Sequence, residues 1–223
     1  RELLTDLRLV AAKDLRIEFR SRVVTNQVAP FAVLVLVLFG VALDADQRTL
    51  RSFAPGLFWV AVLLCALLAV QRSAAIEQAD EAAVGLRLSG ISSPALFLGK
   101  ATAVFVQLLV LEVLLTGGIV VLYRSSIEDV MLLVLTGLMA GVAVAAAGTL
   151  YGAMAAGLGV RETLLPILML PVLAPVLIGA TRAFDDALGA AAVDGWTWLV
   201  LLTGLAATMI VFGALAHRIL VDD

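Results

Sequence analysis

Glu112 is the residue most out of place in this sequence, an ionisable side chain half-way along the apolar stretch 101–123. A charge at that depth of a membrane is costly unless it is paired or faces a cavity, so such a group marks a site of function by default. Three roles suit it: a proton-sensitive contact, a salt bridge across a subunit interface, or a polar group lining a cavity. A protonated acid bonded to a neighbouring helix is the structural alternative. Gln107, five residues earlier, lies about 140° away around a helix and does not share the face of Glu112.

Other chemistry-bearing types are sparse. Cys65 is the single cysteine and His217 the single histidine, so neither a disulfide nor a Cys/His metal cluster can be built within the chain. Membrane hydrolases need a nucleophile beside a base, or paired carboxylates, at membrane depth, and one lone Glu supplies neither. No catalytic residue and no metal site are expected. A phosphate-binding Gly-x-x-x-x-Gly-Lys-Ser/Thr loop is missing too: Leu98-Gly99-Lys100-Ala101 lacks both the earlier glycine and the hydroxyl. Any nucleotide must be bound by another chain.

The polar segment 71–100 is the longest in the protein. Its Ser73–Leu88 portion has a helical pattern carrying Glu77, Asp80, Glu81, Gly85 and Arg87, followed by Ser89-Gly90 and Ser92-Ser93-Pro94 as breakers. A short helix held between two membrane spans can act as a rigid coupling element, passing force from a soluble motor to the bundle. A plain solvated connection is the alternative. Gly137-x-x-x-Gly141 and Gly148-x-x-x-Gly152 permit close helix packing. Pro166, Pro171 and Pro175 fall within one apolar run and suggest a kink or hinge, because each proline removes a backbone hydrogen bond that neighbours must replace.

The elements that position these residues follow from composition. The chain of 223 residues is 62% hydrophobic and 15% charged, whereas soluble domains are about 45–50% apolar and about 25% charged. A helix needs about 20 apolar residues to cross a bilayer. Six spans are expected: Val28–Leu43, Phe53–Val70, Ala101–Tyr123, a fourth within the overlong run Val130–Val160, Leu164–Thr181 and Trp196–Ala216. Asp44–Ser52 reads as a loop, and Ala54-Pro55-Gly56 as the entry to the second span. Residues 1–24 read as an amphipathic helix lying in the membrane interface, with Leu4, Leu7, Ala11, Leu15 and Phe19 near one face. No cleaved signal peptide is expected, since a long charged stretch precedes the first apolar run. The whole is one all-α, polytopic transmembrane domain spanning 1–223.

Orientation follows from basic residues near the span ends. Eleven Lys/Arg lie on the side holding the N-terminal tail, segment 71–100, Arg161 and Arg218; Arg48, Arg51, Arg124 and Arg182 make four on the other. Both termini and the long loop are therefore expected in the cytoplasm. Trp59, Tyr123, Trp196 and Trp198 are expected in the outer interface, as an aromatic belt. The net charge of −3 gives no reason to expect a nucleic-acid partner.

Several stretches, taken in order, resemble the CcmB family, the membrane subunit of the haem exporter-type ABC transporter of cytochrome c maturation. They include Leu15-Arg16-Ile17-Glu18-Phe19-Arg20, Phe53-Ala54-Pro55-Gly56-Leu57-Phe58-Trp59, and Glu77, Asp80, Gly85, Leu86, Leu88, Ser93-Pro94 and Gly99-Lys100. Gly148-Thr149-Leu150 and the proline-rich 165–178 follow. Ala79, Ala82 and Ala83 depart from the bulkier or more polar residues of the family loop. The resemblance implies a permease of the bacterial inner membrane with no ATPase of its own. A CcmA-like ATPase would bind ATP and dock on the coupling helix, with CcmC-like and CcmD-like subunits and a CcmE-like haem chaperone as partners. Haem would be the cargo, no cofactor would be resident, and the general ABC plan implies a homodimer. His217 could serve haem iron as an axial ligand, although a snorkelling interfacial histidine beside Arg218 is the simpler reading. An ABC-2-type exporter for another substrate, or a non-transporting scaffold for a haem-handling complex, would share the same features.

Overall fold

The computed structural model of the chain describes residues 2–22, 24–43, 46–79, 92–155 and 161–222, with side chains undescribed at 2, 21, 24, 25, 72–79, 161–164 and 217–222. Among the described residues every regular element is helical. They are α1 (Glu2–Ser21), a π-helical turn (Val24–Val28), α2 (Ala29–Ala42), α3 (Gln47–Ala79), α4 (Ser93–Leu122), α5 (Val130–Ala155), α6 (Arg161–Ala187) and α7 (Gly195–Asp222).

Five stretches are long and apolar enough to cross a bilayer: Gln47–Gln71, Ser93–Leu122, Val130–Ala155, Leu165–Ala187 and Gly195–Ala216. The first expected span is different. Helix α2 has 14 residues, about 21 Å at 1.5 Å per residue, against a hydrocarbon core of roughly 30 Å. Five of the six expected spans are therefore met by full-length helices, and the first by an apolar helix too short to count with them.

Two boundaries differ from expectation for identifiable reasons. The loop expected over 44–52 is helical from Gln47, because the Asp46 carboxylate accepts a hydrogen bond from the Thr49 backbone N–H at 3.1 Å and starts α3 early. Pro55 then lies inside α3 rather than at its entry. Proline deprives the carbonyl four residues earlier of its donor; that carbonyl belongs to Arg51, which is exposed beside exposed Ser52. Farther on, the helix expected to begin at Ser73 is not separate: α3 continues unbroken to Ala79. Ser92 and Pro94, expected as breakers, start α4 instead. Ser92 is extended, with φ −66° and ψ 139°, and proline occupies the first turn, where its missing N–H costs nothing.

Helix α5 is the hub, packing on α7, α6, α4 and α3. Its glycines and alanines make this many-sided burial feasible. A Cβ at Gly148 would lie 2.6 Å from Val70 Cγ2, and one at Gly152 3.3 Å from Val70 Cγ1, so this glycine pair forms the socket for a side chain of α3. Around α3 and α6, Phe58, Trp59 and Phe184 pack with ring centroids 4.8–5.2 Å apart. Tyr123, at the end of α4, is buried and donates its hydroxyl to the Leu36 carbonyl of α2 at 2.7 Å. Trp59 and Tyr123 are thus core residues rather than members of an interfacial belt. Trp196 is exposed and Trp198 half-buried.

The helices alternate in direction, so the molecule has two ends. One, the loop end, carries the α2–α3, α4–α5 and α6–α7 connections. The other, the terminal end, carries α1, the start of α4 and the end of α7. At the loop end the Glu128 and Asp129 backbone N–H groups both donate to the Ala187 carbonyl, at 2.9 and 3.1 Å, tying the two longer connections together. At the terminal end α1 packs along α4. Gly99 leaves room for Val10, whose Cβ is 2.7 Å from where a Gly99 Cβ would lie. The packing face of α1 is therefore Val10 and Ala11, both buried, whereas Leu4 and Phe19 of the expected apolar stripe are 61% and 76% exposed.

Candidate functional site

Glu112 is buried at the α4–α5 contact. The slot that receives it is made by the absent side chains of Gly137 and Gly141: a Cβ at Gly137 would be 2.9 Å from Oε2, and one at Gly141 3.1 Å from Oε1 and 3.2 Å from the Phe105 ring. Oε1 has no hydrogen-bond partner among the described residues, nor has the buried hydroxyl of Thr136, which precedes Gly137. The Thr116 hydroxyl donates to the Glu112 backbone carbonyl at 2.7 Å rather than to its side chain. Sequence reasoning noted both the acid and the glycine pair but did not connect them. The missing signal is steric: four-residue glycine spacing clears one face of a helix, and the side chain filling it can be polar.

The expected coupling residues divide at residue 80. Glu77 lies on the extension of α3 beyond the apolar stretch that ends at Gln71, in the first helical part of the polar segment. Asp80, Glu81, Gly85 and Arg87 lie outside the described residues. Both flanks of their segment are set by the fold. Residues 72–79 carry α3 roughly 12 Å past its apolar stretch, and on the far side buried Ser93 begins α4, against which α1 is docked. Pro166, Pro171 and Pro175 are all interior to α6, which runs as one helix from Arg161 to Ala187. Pro166 is half-buried, and Pro171 and Pro175 face outward. Cys65 is buried in α3. The side chain of His217 lies outside the described residues.

One further feature was not anticipated. Between α3 and α6, at the loop end, lies an open groove of about 480 Å³ whose wall includes Trp59, Phe53 and Val60 of α3 and Ile178 and Arg182 of α6. Arg182 is paired with Asp185, Nη1 to Oδ2 at 3.3 Å. Both residues lie within about one turn of α6 beyond the expected end of the fifth span at Thr181, which is why the sequence alone does not join them to α3. Among the described residues no group of three or more His, Cys, Asp or Glu side chains comes together in metal-binding fashion.

A unit of this kind, long apolar helices with a polar segment at one end, matches known proteins along nearly its whole length. The family model described as CcmB protein matches residues 5–221. Heme exporter protein B of Pseudomonas aeruginosa is 28% identical over 209 residues, covering 93% of this chain and 94% of that one. The Escherichia coli K12 protein of the same name is 30% identical over 195 residues, covering 86% and 89%. The Haemophilus influenzae one is 29% identical over 178 residues, 80% of each. With a match from the first turns of α1 to the last turn of α7, this all-α, multi-pass membrane protein belongs to the CcmB family.

Proposed function

We propose that this chain is the permease subunit of a haem exporter-type ABC transporter, working with an ATPase carried on a separate polypeptide. The observation that carries the reading is the family match across residues 5–221, which includes the polar segment and not merely the apolar helices. The relatives' name, heme exporter protein B, supports haem as the cargo class. The terminal end is taken to face the cytoplasm of a bacterial inner membrane, in keeping with eleven basic residues near that end against four near the other.

In this reading a CcmA-like ATPase docks on the segment containing Glu77, Asp80, Glu81, Gly85 and Arg87. Its closure on ATP pushes on two rods at once, the α3 extension and the α1–α4 pair. CcmC-like and CcmD-like subunits complete the membrane part, a second copy of this chain supplies the symmetric half, and ATP turnover drives haem export or release of a haem-loaded CcmE-like chaperone. Pro166, Pro171 and Pro175 provide the yielding element in α6, since each removes one rung of the helical ladder. Glu112 holds a polar position between α4 and α5 that moves whenever those helices slide.

The test is co-purification. Charge reversal at Asp80, Glu81 and Arg87 together is expected to reduce recovery of the ATPase subunit with the detergent-solubilised permease by about tenfold, while α-helical content stays unchanged. Undiminished recovery would remove the docking assignment. Mass identification of the subunits in the untreated complex checks the partners and the second copy.

A further inference from the structure

We propose that the outward face of α1 is a binding surface for anionic phospholipid headgroups, with Arg8, Arg16 and Arg20 taking the phosphates and Leu9 and Phe19 entering the acyl region beside them. The inference goes beyond the permease reading and uses neither haem nor nucleotide. It starts from how α1 is docked. Val10 and Ala11 are its buried residues, and Val10 seats at Gly99 of α4, next to Lys100, the last cation of the chain before Arg124. The helix is followed at once by the π-helical turn and apolar α2. Two apolar helices therefore begin at the level of α1, which is the depth of lipid headgroups.

The charges of α1 are sorted around this contact. At about 100° per residue, Arg8, Lys13, Arg16 and Arg20 all fall within about 70° of the direction opposite to the midpoint of Val10 and Ala11. Asp14 and Glu18 fall about 150–170° from that direction, on the docked side, and Asp6 at about 90°, on the flank. Burial agrees with the wheel: Arg8, Arg16 and Arg20 are exposed, whereas Asp6, Asp14 and Glu18 are half-buried. Lys13 is paired with Asp14, Nζ to Oδ1 at 3.2 Å, so the three arginines dominate the outward field. Leu9 and Phe19, 60% and 76% exposed, share that face and adjoin Arg8 and Arg20. Each such pair sets a cation beside an apolar side chain, which matches the division of a phospholipid into phosphate and acyl chain. Free phosphate or a nucleic acid would leave Leu9 and Phe19 in water, and an uncharged surface would leave the arginines without counter-charge. One basic residue near an anionic membrane surface contributes about fivefold in affinity, so even partial engagement of the three is measurable.

The experiment reads lipid contact at α1 alone. In the full chain with Cys65→Ala, exposed Ala12 on the outward face is changed by Ala12→Cys and labelled with bimane. The protein is placed in phosphatidylcholine nanodiscs that hold a small, equal fraction of nitroxide-labelled phosphatidylglycerol or nitroxide-labelled phosphatidylcholine. Phosphatidylglycerol is expected to quench at least about fivefold more strongly at low salt, and the two about equally at roughly 1 M salt, where the screening length falls to about 3 Å. Arg8→Gln, Arg16→Gln and Arg20→Gln together should bring the low-salt ratio below about twofold. Arg8→Lys, Arg16→Lys and Arg20→Lys together should keep it, which separates charge from any loss of fold. Bimane at Ser126→Cys, at the loop end, should not respond to the glutamine changes. Equal quenching by the two lipids at Ala12→Cys, or a preference that survives the glutamine changes or the high salt undiminished, would overturn the proposal. Recovery of the ATPase subunit is read with the same variants and should stay unchanged; its loss, with no lipid preference at α1, would give this face to a protein partner instead.

Discussion

At the scale of single residues, the fit of Glu112 to Gly137 and Gly141 is the most specific arrangement in the bundle. The helix opposite has been cleared to give the buried carboxyl room, while its unpartnered oxygen keeps a desolvation cost that no described partner offsets. Gly137→Ala should therefore destabilise by about 1–3 kcal/mol, the usual cost of overpacking. Glu112→Ala should recover most of that loss in the double variant, because the added methyl meets the carboxylate and little else. Thermal unfolding of the four combinations in detergent measures the coupling; strictly additive losses would show that the two side chains do not compete for one space. Both partners were visible in the sequence, as an odd acid and a glycine pair. What sequence could not supply is the rotational phase between two helices of nearly uniform hydropathy, which offer no polar face from which to read it.

At the scale of elements, boundaries follow local capping rather than the hydropathy profile. Helix α3 starts at Gln47 because Asp46 caps it, and α7 starts at Gly195 behind Asp194. The Asp194 carboxylate accepts from the Thr197 hydroxyl at 2.6 Å and from its backbone N–H at 3.3 Å. The Thr197 hydroxyl, then its N–H, hold the Asp194 carboxyl below the usual carboxylate range. The sign of the linkage follows: a depressed pKa contributes stability above the unfolded-state value, near pH 4, and that contribution fades as pH falls through the lower folded-state value. Asp194→Ala should thus lower the melting temperature at pH 7 while the difference from the unaltered protein shrinks towards pH 3. A pH-independent difference would mean that the cap acts through shape alone. Asp46 and Asp194 are residue types that suit a cap, whereas Pro55 in Ala54-Pro55-Gly56 reads in the sequence as an entry signal. A proline is admissible inside a helix where the carbonyl it orphans is near an exposed surface, and such exposure is a tertiary property.

At the scale of the whole molecule, the fold class is plain in the sequence, since composition and run length speak directly to lipid as solvent. The short α2 and the inward placement of Trp59 and Tyr123 were not, because aromatic rings suit both the interface and the core and only packing decides. The two-ended arrangement makes a direct prediction. In a Cys65→Ala background, a cysteine at Ser126 in the α4–α5 connection should react with a membrane-impermeant thiol reagent added to intact cells, and one at Ser92 should react only after lysis. The reverse pattern would invert the molecule and remove the docking face from the cytoplasm.

The unbroken course of α3 has a mechanical corollary. Its 33 residues make a rod about 50 Å long, with one tip beside the polar segment and Ser52, Phe53 and Trp59 near the other. Pivoting by about 5° around the Val70 socket in α5 would swing a tip some 25–35 Å away by about 2–3 Å, enough to widen or pinch the α3–α6 groove. A tug at the base would then be felt across the bilayer without any side chain relaying it, much as a see-saw plank answers a push at its far end.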